Sequence, residues 1–128
     1  MLESFKKIEI KTSGAKINVK IAGDGPPVLL LHGYPQTHIM WHKVAPYLSK
    51  YFTVVLADLR GYGDSSKPKS DPKHTTYSKR EMALDQVEVM KNLGFNSFSV
   101  VGHDRGARVT HRMLIDHKSL IQKAVVMD

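Results

Sequence analysis

Apolar and polar residues alternate from Phe5 to Lys11 and again from Lys16 to Ala22, around a Ser13-Gly14 turn. That period of two predicts a β-hairpin with one buried face. After the loop Gly23-Asp24-Gly25-Pro26-Pro27, the continuous apolar run Val28 to Leu31 predicts a strand covered on both faces. Phe52 to Ala57 reads the same way. Between them, Thr37 to Lys50 carries Met40, Trp41, Val44, Ala45 and Leu48 on one side of a predicted helix. Pro46 should kink or restart that helix, since an interior proline costs about 3 kcal/mol in a straight one. Asp58 to Lys73, rich in Gly, Ser, Pro and Lys, predicts a long loop. Ser78-Lys79-Arg80-Glu81 is a capping-box pattern. Met82, Leu84, Asp85, Val87, Glu88, Met90 and Leu93 follow at helical spacing, and Gly94 ends the helix.

The remainder repeats the alternation. Phe98 to Val101 predicts a buried strand, Arg105 to His117 a helix, and Lys123 to Met127 a last short buried strand closing on Asp128. A hairpin followed by alternating strands and helices predicts an α/β protein with a mostly parallel sheet of about six strands. Right-handed crossovers put helices on both faces. Ligands in such sheets bind at the carboxyl ends of the strands, where His32, Asp58, His103, Asp104 and Asp128 fall. No repeat or linker divides the chain, so residues 1–128 are expected to belong to one domain.

Composition changes this picture little. With 41% hydrophobic and 24% charged residues, the 128-residue chain reads as an ordinary globular domain. No apolar run approaches a membrane span or a signal peptide, and the absence of cysteine fits a cytoplasmic protein. The net charge of +7 comes from dispersed lysines rather than a basic patch interleaved with aromatics, so neither nucleic acid nor membrane is an expected partner. His38 and His42 stand four apart, but no third ligand accompanies them and no metal site is expected.

The chemistry concentrates in Gly102-His103-Asp104-Arg105-Gly106, where a strand turns into a helix around one polar residue. Such a turn is a nucleophile elbow; its strained backbone requires small neighbours two positions away, here Gly102 and Gly106. The elbow usually carries Ser. An aspartate, already ionised at neutral pH, needs no base to attack a carbon bearing a leaving group. The plainer reading of Asp104 is a cap on the helix behind it. Arg105 and Arg108, three apart, share a face beside Asp104, either as ion-pair partners of Asp104 or Asp128 or as a clamp for a substrate carboxylate. The turn after Leu31 is expected to donate the Tyr34 N–H toward an oxyanion, with the Arg105 N–H as second donor.

Together with His32-Gly33-Tyr34-Pro35 and Asp58-Leu59-Arg60-Gly61-Tyr62-Gly63-Asp64-Ser65, the elbow resembles the α/β-hydrolase superfamily, in its aspartate-nucleophile branch. The run Asp104-Arg105-Gly106-Ala107-Arg108 is most similar to haloacetate dehalogenases, including fluoroacetate dehalogenase; epoxide hydrolases and haloalkane dehalogenases usually have Trp at Arg105. The resemblance implies hydrolysis of small haloacids through an ester on Asp104, with Arg105 and Arg108 on the substrate carboxylate and no cofactor. It also implies that Asp128 orients a histidine base lying far downstream of the elbow. Such enzymes are about twice this long, so the cap domain, the last strands and that histidine are expected to lie beyond Asp128. The isolated chain is expected to be inactive and to self-associate, as a homodimer or aggregate, through an open sheet edge at Lys123 to Met127. The competing expectations are an epoxide hydrolase and, from another class, a non-catalytic fragment acting as an interaction domain.

Overall fold

The computed structural model describes residues 2–128. Its sheet has six strands: β1 (Lys6–Lys11), β2 (Lys16–Ala22), β3 (Pro27–Leu31), β4 (Thr53–Ala57), β5 (Phe98–His103) and β6 (Ile121–Met127). They lie in the order β1-β2-β4-β3-β5-β6. β1 and β2 form the antiparallel hairpin and β2 joins β4 antiparallel; the pairs β3/β4, β3/β5 and β5/β6 are parallel. The helices are α1 (Ala45–Leu48), α2 (Lys79–Asn92) and α3 (Arg105–Asp116).

β3 and β4 are buried on both faces, as their continuous apolar runs predict. Leu29, Leu31, Val55 and Ala57 face a core shared with Met82, Val87 and Met90 of α2 and Val109 and Met113 of α3. Val28, Leu30, Val54 and Leu56 face the opposite core, filled by Trp41, Ala45, Leu2 and Phe5. Register then aligns the strand ends. Leu31 sits beside both Ala57 and Gly102, and His103 beside Met127. The residues that follow, His32, Asp58, Asp104 and Asp128, therefore share one rim of the sheet.

Two expected elements differ. The single helix over Thr37 to Lys50 is instead a 3-10 turn, His38–Trp41, followed by the one-turn α1. Pro46 stands in the first turn of α1, where its missing N–H costs nothing, so the chain restarts there. Val44, expected on the buried side, is exposed. The other difference is β6. It pairs with β5 as expected, but Ala124 to Met127 are exposed rather than buried, because within these residues only β5 flanks the strand. The expectation of self-association rests on this open edge.

The long loop after β4 is fixed from within. Arg60, buried, donates from Nε and Nη2 to the two carboxylate oxygens of Asp85 in α2, both at 2.8 Å. Thr12 Oγ1 donates to Asp85 Oδ1 at 2.7 Å, and Arg60 Nη1 donates to the Thr76 carbonyl at 2.7 Å. Hairpin, loop and helix thus meet in one polar cluster. Ser78 caps α2 by accepting the Glu81 N–H, and Gly94 follows its end at φ +93°, both as the pattern predicts. Among the described residues, no helix is long and apolar enough to cross a membrane.

Candidate active site

Asp104 takes the turn between β5 and α3 at φ +54°, ψ −114°, a region disfavoured for side-chain-bearing residues. Its N–H donates to the Met127 carbonyl at 2.9 Å, and its carbonyl accepts the Ala107 N–H at 3.0 Å. The strained backbone is thereby held from both sides. The side chain does not cap α3; instead Oδ2 accepts the Tyr34 N–H at 2.9 Å. The Tyr34 and Arg105 N–H groups together hold the carboxyl below the usual carboxylate range. Asp104 is an ionised, half-exposed carboxylate with backbone donors already aimed at it.

Glycines make this approach possible. A Cβ on Gly33 would collide with the Asp104 side chain, and one on Gly106 with the Leu31 and His32 carbonyl oxygens. Alanine at a helical glycine normally gains up to about 1 kcal/mol. Here the obstacle is backbone that cannot yield, and overpacking of this kind costs about 1–3 kcal/mol. Gly106→Ala should therefore lower the urea midpoint without changing the slope of the transition. An unchanged or raised midpoint would show that α3 can move away from β3.

The other rim carboxylate, Asp58, is fully buried and satisfied. Burial alone would raise its pKa. Hydrogen bonds from the His38 ring and backbone, from the Asp64 N–H and from Asn18 prevail and hold it well below the usual range. His32 is also structural. Its Nε2 accepts the Leu59 N–H at 2.9 Å, so its Nδ1 carries the proton and donates to the Gly33 carbonyl, also at 2.9 Å. Burial lowers its pKa, consistent with a neutral ring. Of these three rim residues, Asp104 alone has a carboxylate open to a ligand.

The two arginines part company. The Arg105 guanidinium lies 4.9 Å from the Tyr34 ring centroid and donates to the Tyr62 hydroxyl at 3.1 Å. Arg108 instead lines a groove of about 690 Å³ with Asp104, Asp128 and Lys79, running along α3 and β6. Neither arginine forms an ion pair with Asp104 or Asp128 among the described residues. Asp128 is exposed at the groove's edge. Tyr34, 62% exposed, contributes its backbone N–H to Asp104 and its ring to Arg105.

A model of the alpha/beta hydrolase fold matches residues 26–128. The chain belongs to that family. Among curated alpha/beta hydrolase relatives, the chain is 50% identical over all 128 residues to a fluoroacetate dehalogenase from Burkholderia sp, covering 42% of that protein. It is 39% identical over 116 residues to a soluble epoxide hydrolase from Corynebacterium sp. (strain C12), covering 91% of this chain and 39% of the relative. The crystal structure of an alpha/beta hydrolase from Nostoc sp PCC 7120 superposes with a TM-score of 0.98 at 58% identity, over 100% of this chain and 44% of that one. The chain thus spans less than half the length of the relatives it matches.

Three contributors to the candidate site escape the sequence pattern. His38 is buried against Asp58 rather than displayed on a peripheral helix beside His42, and no group of three or more metal-binding side chains forms among the described residues. Gln36 Oε1 accepts from the Gly33 N–H and faces His103 Nδ1, both at 3.2 Å, which orients the turn that presents Tyr34. Lys79 enters the groove from the first turn of α2. Each is a contact between distant segments, which periodicity does not encode.

Proposed function

We propose that the chain carries the nucleophile half of a haloacid-hydrolysing site, in an enzyme of the haloacetate dehalogenase type. The observation that carries this reading is the half-exposed Asp104 carboxylate, held by two backbone N–H groups beside Arg108, a guanidinium that forms no ion pair among the described residues. Because the Tyr34 N–H occupies Oδ2, Oδ1 is the oxygen left to attack. Its lone pair forms a C–O bond to the halogen-bearing carbon, the C–halogen bond breaks, and the halide leaves with its electrons. In the resulting ester, Oδ2 is the carbonyl oxygen, so the same donors stabilise the oxyanion formed when water attacks that carbonyl. Asp128, on the same groove, is proposed to orient the base that activates this water. Arg108 takes the substrate carboxylate, with Arg105 at the Tyr34 side of the elbow.

A carboxylate clamp separates this reading from an epoxide hydrolase, whose neutral substrate offers nothing to Arg108. The 128-residue chain should form an ester on Asp104 when incubated with chloroacetate, releasing one chloride per ester. Peptide mass spectrometry and a chloride assay read the two products. Arg108→Leu should slow esterification by chloroacetate about 10–100-fold, the worth of a charged hydrogen bond, and hardly affect chloroacetamide. Equal slowing with both reagents, or modification of neither, would defeat the proposal.

A further inference from the structure

Lys79 is placed where its positive charge is disfavoured. It stands in the first turn of α2, the end of a helix at which the macrodipole disfavours cations. It is half-buried, and burial together with the Arg105 and Arg108 charges lowers its pKa. Its sequence neighbour Arg80 turns outward, 3.6 Å from Asp116, and Arg112 also pairs with Asp116, at 2.9 Å. Lys79 has no such acid among the described residues; it lines the groove with Arg108 and Asp104 instead.

The charges around the groove suggest why. Arg112 and Arg80 share Asp116. What remains at its Asp104 end is Lys79, Arg105 and Arg108 against the carboxylates Asp104 and Asp128. Lys79 adds a third cation to this end of the groove, and an incoming carboxylate meets a stronger attraction with it than without it. A cation held against burial, helix dipole and two like charges is a local conflict of the kind found at ligand sites.

We propose that Lys79 is a third carboxylate-binding residue of the Asp104 groove, acting beside Arg108 to select small organic monoanions over neutral molecules of the same shape. This rests on the haloacid reading of the groove and adds a specificity-determining residue to it. Lys79 of α2 and Arg108 of α3 line the same groove as Asp104, so a carboxylate bound by both would bring its halogen-bearing carbon to the Asp104 end.

Fluorine NMR titration of the 128-residue chain with fluoroacetate and with neutral fluoroacetamide tests this without requiring any chemistry at Asp104. Wild type should bind fluoroacetate saturably and in preference to the amide. Lys79→Met should weaken fluoroacetate about tenfold, leave fluoroacetamide unchanged, and keep or raise the wild-type thermal midpoint. Lys79→Arg should restore binding to within about threefold of wild type, which a merely structural lysine would not require. The proposal is overturned if wild type does not bind fluoroacetate, if Lys79→Met binds it like wild type, or if both ligands weaken equally. Saturable, Lys79-dependent binding without an ester on Asp104 would leave this inference standing while the haloacid-hydrolysing reading fell.

Discussion

Asp104→Asn should reduce ester formation from chloroacetate to background while leaving the fold intact. The amide keeps the shape of the carboxylate and an oxygen to accept the Tyr34 N–H. Asparagine also tolerates the positive φ of +54° better than most residues. What it lacks is the anionic lone pair that the proposed attack requires. A loss greater than about a thousandfold, or roughly 4 kcal/mol of barrier, is expected. Stability should shift by no more than about 1 kcal/mol, since the amide oxygen still accepts the Tyr34 N–H and no packed atom is removed. Mass spectrometry of the elbow peptide and thermal unfolding read the two quantities separately. Ester formation at the wild-type rate would move the nucleophile elsewhere, and a large fall in stability would mean that Asp104 is chiefly structural.

The largest effect on stability should come from Arg60→Met. That substitution leaves the buried Asp85 carboxylate, 1% exposed, without the two guanidinium bonds at 2.8 Å that balance it. Stranding one charge of a buried pair costs about 3–5 kcal/mol, a large part of the roughly 5–15 kcal/mol that holds a typical domain together. Adding Asp85→Leu should recover much of the loss, because the orphaned charge is then gone. The double variant should therefore unfold at a higher urea concentration than Arg60→Met alone. If it unfolds lower still, Asp85 is stabilised by contacts other than Arg60, such as the Thr12 hydroxyl. The Thr12 hydroxyl, which donates to the same carboxylate, makes the cluster non-additive, so the comparison needs all four corners of the cycle.

What could be read from the sequence follows from the range of the interactions involved. The hairpin, the two-faced burial of Val28 to Leu31, the Ser78 cap and the turn at Gly102 to Gly106 are local patterns, and all appear where they are expected. Asp104 and the Tyr34 turn come together because β3 and β5 pair in parallel; the alternation predicts a mostly parallel sheet but not which strands are neighbours. Thr37 to Lys50 misled because its apolar spacing is helical, whereas the His38 backbone and ring are both committed to Asp58, 20 residues away. Arg60 and Asp85 are 25 residues apart, and Thr12 and Asp85 are 73 apart. Polar partners at such distances leave no periodic trace. Val125 and Val126 misled differently: an apolar run shows that a strand can be buried, while burial itself depends on neighbours, and these two are 52% and 57% exposed. The divergence of Arg105 toward Tyr34 and of Arg108 toward the groove depends on rotamers, which helical spacing leaves open.

β3, flanked by β4 and β5 and buried on both faces, belongs to the part of the molecule whose amide hydrogens should exchange only when the whole domain unfolds. β6 is held along one side and exposed on its last residues, so it should open alone and far more often. The Asp104 amide, bonded to the Met127 carbonyl, straddles that boundary and should exchange with β6 rather than with the rest of β5. Each opening of β6 removes one of the two restraints on the strained elbow and carries Asp128 away from Asp104. On the proposed chemistry, the step that makes the ester and the step that breaks it hang from backbone of unequal stability, and anything that clamps β6 acts first on the second.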